Sequence, residues 1–123
     1  MVKLEELWDI DYGDVGENTK AYGSKLNPYN PLVKIQYTKS KRGVKIDDMK
    51  VVEPSKRGQG LGTQAIKLFE KSLPKNTVVF GTAGFKDWSP KFNRLARKFW
   101  EKMGYTFSAK SSGKPARGQK KLK

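Results

Sequence analysis

One short segment constrains this chain more than any other: Val51-Val52-Glu53-Pro54-Ser55-Lys56-Arg57-Gly58-Gln59-Gly60-Leu61-Gly62-Thr63. The run before it, Val44 to Val52, reads as a strand, and Pro54 stops it because proline cannot donate to a ladder. After it, Leu61, Ala65, Leu68, Phe69 and Ser72 recur three or four apart and predict a helix ending at Pro74. The segment is therefore a glycine-rich turn between a strand and a helix. Glycines let backbone N–H groups approach an anion closely, the helix N-terminus adds its positive end, and Lys56 and Arg57 add charge. A Walker A loop is excluded, since no Lys-Ser/Thr follows Gly62. The dinucleotide fingerprint fails where Thr63 stands in place of its last glycine. Spacing alone leaves a tight structural turn and a phosphate site as equal readings.

The flanking sequence supplies the other elements. Leu32-Val-Lys-Ile-Gln-Tyr37 alternates apolar and polar residues, so it predicts a strand that pairs with Val44–Val52 through the turn Lys39–Gly43. Thr77-Val-Val-Phe80 is an unbroken apolar run, suited to a strand buried on both faces. Ser89-Pro90 supplies an N-cap and a first-turn proline. From there Phe92, Leu95, Ala96, Phe99, Trp100 and Met103 form an apolar stripe that Gly104 closes. Tyr105-Thr106-Phe107 reads as a last short strand. The expected order is β-β-α-β-α-β, an α/β or α+β sheet packed by helices.

Charge divides the chain into three. Residues 1–17 carry a net −5, residues 18–107 a net +13 and residues 108–123 a net +6, for +14 over 123 residues. Leu4, Leu7, Trp8 and Ile10 suit a short amphipathic turn or strand, while 11–31 is rich in Gly, Asn, Asp and Pro. The division is an irregular acidic segment at 1–31, a core at 32–107 and a basic disordered tail at 108–123. A field this positive attracts nucleic acid, acidic protein or a phosphorylated cofactor. The chain contains neither cysteine nor histidine, which excludes disulfides, Cys/His zinc sites, cysteine nucleophiles and Ser-His triads. No apolar run approaches the roughly 20 residues of a membrane span, and Met1-Val2-Lys3-Leu4-Glu5-Glu6 is no signal peptide, so a cytoplasmic setting is expected.

Two motifs in order decide between the readings of the turn. Arg57-x-x-Gly60-x-Gly62 after Val51-Val52-x-Pro54 resembles motif A of the GCN5-related N-acetyltransferases (GNAT). Asn93-Arg-Leu-Ala96-Arg-Lys-Phe99-Trp100-Glu101-Lys102-Met103-Gly104-Tyr105 resembles the same family's later helix and strand. The resemblance covers about residues 32–107 and implies a mixed sheet with two splayed parallel strands, Val44–Val52 and Thr77–Phe80, and a reduced N-terminal part.

The resemblance also implies acetyl-CoA and a set of contacts. Amides of Met49, Val51 and Val52 would hold the pantetheine, and those of Arg57, Gly58, Gln59, Gly60, Leu61 and Gly62, with Thr63 nearby, would wrap the pyrophosphate. Asn93 would contact the cofactor from the opposite side. The implied reaction is direct attack of a primary amine, on a protein lysine or N-terminus, at the thioester. Trp100 stands where the family commonly has a tyrosine acid, and an indole N–H is no useful acid. Tyr105 is the candidate substitute. Asp47 and Glu53 are the candidate bases, placed by strand alternation on one face with Asp48 opposite unless a bulge intervenes. With no helices before the hairpin the acceptor site would be open, suiting a macromolecular amine or completion by a partner subunit. The alternatives are a CoA-binding protein without turnover, and a nucleic-acid or nucleoprotein module using the Arg94/Arg97/Lys98 face and the tail.

Overall fold

The computed structural model describes residues 3–13, 15–56, 60–84, 89–108 and 116–123. Six strands form one sheet whose spatial order equals chain order: β1 (Glu5–Ile10), β2 (Asn18–Gly23), β3 (Val33–Ser40), β4 (Gly43–Val51), β5 (Val78–Ala83) and β6 (Ala116–Lys121). Helix α1 (Leu61–Lys71) crosses from β4 to β5, and α2 (Pro90–Lys102) follows β5. Neighbours are antiparallel except β4 and β5, which run parallel because α1 carries the chain back to the starting end. The fold class is α+β, a mixed sheet with two helices.

Both helices lie on one face. Register places Val33, Ile35 and Tyr37 of β3 on the same side as Val44, Ile46, Met49 and Val51 of β4 and Val79, Gly81 and Ala83 of β5. On that side Tyr37 meets Phe69 of α1 edge-on at 5.1 Å, and the Trp100 ring of α2 covers Gly81. Gly81 is required there, since a Cβ would sit 2.7 Å from the indole. The core is this face: Val33, Ile35, Tyr37, Ile46, Ala65, Ile66, Phe69 and Val79 are all fully buried.

Three expectations are corrected. Residues 5–10 form β1, a strand being one of the two forms expected there, whereas residues 18–23, expected to be irregular, form β2. β2 escaped notice because its buried positions include Asn18 and Lys20, polar residues that the fold satisfies. Asn18 Oδ1 accepts from Tyr12 N–H at 2.5 Å, and Asn18 Nδ2 donates to Gly13 O at 3.1 Å. Lys20 Nζ donates to Ser72 Oγ at 2.7 Å and pairs with Glu6 at 3.2 Å. The tail expected to be disordered ends in β6, which completes the sheet against β5 through backbone bonds that need no apolar pattern. Tyr105–Phe107 contributes a single bridge, Thr106 to Gln119, rather than a strand.

Helix α2 begins and ends as its sequence predicts. Ser89 accepts from Phe92 N–H, Pro90 occupies the first turn, and Gly104 adopts φ +95° just past the end. Its stripe, however, is buried only in the C-terminal half: Trp100 and Met103 are in the core, whereas Phe92 and Leu95 are more than half exposed.

Candidate functional site

The site begins with a single extra residue in β4. Gln36 pairs with Asp48 and Tyr37 with Ile46, so Asp47 has no partner opposite and forms a β-bulge. A bulge raises local twist and bends its strand. Parallel pairing with β5 ends at Ile46–Gly81, immediately before the bulge, and beyond it the two strands diverge. The bulge also resolves the carboxylates. Asp47 Oδ2 accepts from Thr38 Oγ1 at 2.5 Å and Oδ1 meets Lys45 Nζ at 3.1 Å, placing Asp47 on the face opposite the helices together with Asp48.

The divergence leaves a cavity of about 190 Å³ between Asp47, Asp48 and Met49 on β4, Thr82 on β5, and Phe99 and Trp100 on α2. Trp100 holds the gap's β5 wall. Its Nε1–H donates to Thr82 O at 3.2 Å, the carbonyl of a residue past the last β4–β5 pair. That bond commits the indole N–H to structure.

A second cavity, about 300 Å³, adjoins the first across Phe99 and opens on the N-terminus of α1, between Val51, Lys56, Gly60, Gly62 and Thr63. Gly60 caps α1 at φ +77°, ψ 10°, a left-handed conformation that favours glycine, and no side chain accepts from the first turn. The N–H groups of Leu61, Gly62 and Thr63 precede the first intrahelical bond, Gln64 N–H to Gly60 O at 3.1 Å, and no acid lies in that turn. The helix end therefore presents unpaired donors and a partial positive charge to the cavity.

Ladder alternation fixes which β4 amides face the gap. Val52 N–H donates to Leu32 O at 2.9 Å, so Val52, expected in the amide row, is held by the chain leading into β3. In an antiparallel pair such bonds alternate, which turns the N–H groups of Val51 and Met49 away from β3 and into the divergence. Donors thus run from Met49 and Val51 to the start of α1. This is the donor set that a pantetheine amide chain and a pyrophosphate require, and acetyl-CoA fits it.

The other sequence-predicted residues are dispersed. Arg57, Gly58 and Gln59 lie outside the described residues. Glu53 is exposed beyond the end of β4 and lines neither cavity. Asn93 is buried, its side chain against Gly84, where a Cβ would approach Asn93 Oδ1 to 2.0 Å. Tyr105 is buried and lines neither cavity. Its O–H donates to Glu70 Oε2 at 2.8 Å, and burial, with the Glu70 charge, holds the phenol proton far above its ordinary range. Asp48 is the carboxylate that is both exposed and on the cavity wall. Alternation alone placed it on the opposite face from Asp47, and only the bulge reverses that.

Two larger depressions lie toward the other end of the sheet. One, about 660 Å³, contains charges already paired among themselves, Lys39 with Asp11 and Tyr37 O–H with Asp9 at 2.7 Å. The Lys39 contact holds the Asp11 carboxyl below its ordinary range. The other, about 620 Å³, is lined chiefly by lysines.

No family model matches the chain, and no curated protein matches it. A solved structure does: a Bacteroides thetaiotaomicron protein assigned as an acetyltransferase from the GNAT family, at TM-score 0.64 over 88% of this chain and with 12% identity. The fold is GNAT-like. The match spans 62% of the other chain, less than two thirds of its length. At this identity the likeness concerns architecture, and the GNAT-like features it accompanies here are the parallel β4–β5 pair, its divergence after Ile46 and the uncapped start of α1.

Proposed function

We propose that the protein is an acetyl-CoA-dependent N-acetyltransferase acting on a primary amine, a lysine or N-terminus of a macromolecule. The observation that carries this reading is the row of amide donors running from the β4–β5 divergence to the N-terminus of α1. When bound, acetyl-CoA would supply an acyl carbon at which a neutral amine forms the amide bond as the C–S bond breaks, the CoA thiolate leaving unassisted or taking its proton from water. Leu61, Gly62 and Thr63 N–H groups, with Lys56, would hold its phosphates. Met49 and Val51 N–H groups would hold the pantetheine and would donate to the thioester carbonyl as charge develops on it. Asp48 accepts the proton from the incoming amine, and Asp47, clamped by Thr38 and Lys45, fixes the bulge that presents it. Among the described residues the face beyond Asp48 carries no helix, which suits an acceptor too large to be enclosed.

Titration calorimetry of nucleic-acid-free protein with acetyl-CoA tests the reading, with ATP and a short polyanion as controls. Saturable binding of acetyl-CoA that exceeds both controls and survives moderate salt is expected. Binding no tighter than the controls would sink the proposal.

A further inference from the structure

The 620 Å³ groove is assembled from segments about 50 residues apart in sequence. Helix α1 and the turn after it contribute Lys67, Lys71 and Lys75, and β6 and the residues after it contribute Lys120, Lys121 and Lys123. Leu122 fixes the second set, donating to Thr77 O at 2.9 Å and accepting from Asn76 N–H at 3.0 Å. One acid is present, Glu70, and it is occupied: Lys120 Nζ pairs with its Oε1 at 2.9 Å and also donates to Met103 O at 2.9 Å. The other five lysines are exposed, and among the described residues none of them is in an ion pair.

We infer that this groove docks the sugar-phosphate backbone of a nucleic acid. Charge complementarity commits it to a polyanion, and the lining selects among polyanions. Protein interfaces are depleted in lysine and gain their affinity from buried aromatic or arginine anchors. The groove's apolar lining is Leu73, Pro74 and Leu122, with no aromatic ring. Lysine ammonium groups at i and i+4, about 6 Å apart along a helix axis, are point charges suited to phosphates and not to reading bases. On the arginine face of α2, Arg97 is already engaged, stacking on Phe107 at 4.7 Å and lying 3.8 Å from Glu101, whereas Arg94 and Lys98 are exposed. The groove lies at the far end of α1 from the amide row, about 16 Å away by helix rise, so this inference stands apart from the acyl-transfer reading.

The test measures fluorescence anisotropy of a labelled 20-nucleotide oligothymidylate, with a 20-base-pair duplex as a second probe. Wild type is compared with a Lys67→Gln/Lys71→Gln/Lys75→Gln variant and with a charge-matched Lys25→Gln/Lys41→Gln/Lys91→Gln variant, all at exposed positions. The groove variant is expected to lose about 100-fold in affinity at 0.1 M salt and about 2 in the slope of log K against log salt. The control variant is expected to lose less than about 5-fold. Equal losses in the two variants would overturn the inference in favour of a diffuse field, as would absence of oligonucleotide binding by the wild type at low salt. Equal displacement by polyglutamate of matched charge would overturn it in favour of an acidic protein. Unchanged acetyl-CoA titration of both variants separates this result from the enzymatic question.

Discussion

The two ends of α1, each a proposed phosphate site, differ in where their positive charge comes from. At its N-terminus the attraction comes chiefly from backbone: Gly60 in the left-handed region and three N–H groups outside the helical ladder, with Lys56 lining the same cavity. At its C-terminus it comes from lysine side chains gathered around one neutralised pair, Glu70 and Lys120. Backbone donors are fixed in direction by the helix and favour one small anion in one pose. Ammonium groups on four-carbon stems are mobile and accept many phosphates in many poses. The helix thus joins a candidate site of geometry to a candidate site of charge.

Salt should separate the ends most widely. Between 50 and 200 mM, five lysine–phosphate contacts on a single strand predict a loss of about 100-fold in oligonucleotide affinity. Acetyl-CoA affinity is expected to fall by less than about tenfold over the same range. Parallel losses would erase the distinction.

A mutation should then remove one end alone. Thr63→Glu places a carboxylate in the first turn, where it favours the helix and repels a pyrophosphate. Acetyl-CoA affinity is expected to drop about 30-fold or more, with oligonucleotide binding within about twofold, in paired titrations. Loss of both activities would show that the ends are coupled through the fold.

Trp100→Phe acts on the support of the first end. It leaves Thr82 O without its indole donor and removes ring volume beneath Gly81. A loss of about 2 kcal/mol in chemical denaturation is expected, together with weaker acetyl-CoA binding and unchanged oligonucleotide binding.

The smallest effect is expected at Tyr22, which lies on β2 away from both ends. Its buried hydroxyl has no hydrogen-bond partner among the described residues, and burial keeps its proton well above the ordinary range. Tyr22→Phe should change stability by no more than about 0.5 kcal/mol at pH 7. Above about pH 10 the unfolded chain releases this proton while the folded chain keeps it, so wild-type stability declines as pH rises. The variant should decline less in thermal melts across that range, and an identical decline would remove Tyr22 as a contributor.

The sequence displayed these ends unequally. The N-terminal end was legible because glycine, proline and helical periodicity are local signals, and the strand–turn–helix unit they describe is the one observed, although Arg57, Gly58 and Gln59 lie outside the described residues. The lysine groove was illegible because β6 carries almost no apolar pattern. Its place depends on hydrogen bonds to β5 that composition does not reveal, so a Lys-rich stretch reads as solvated tail. β2 was hidden for a related reason, since Lys20 and Asn18 are buried only because Glu6, Ser72 and the Tyr12–Gly13 backbone satisfy them. The face of Asp48 turned on one residue of register: alternation is reliable until a bulge shifts it, the exception that the structure shows, and nothing in Asp47-Asp48 announces the bulge.

A sheet whose strands lie in the order they are synthesised has a consequence for how the chain acquires its parts. Each strand pairs with its predecessor, and the two long connections, β4 to β5 and β5 to β6, carry α1 and α2, so assembly can follow emergence from the ribosome. The β4 bulge, α1 and β5 are all in place before β6 arrives. A nascent chain would therefore hold Met49, Val51 and the start of α1 in place before β6 docks, and the proposed groove gains Lys120, Lys121 and Lys123 only with that strand and the residues after it.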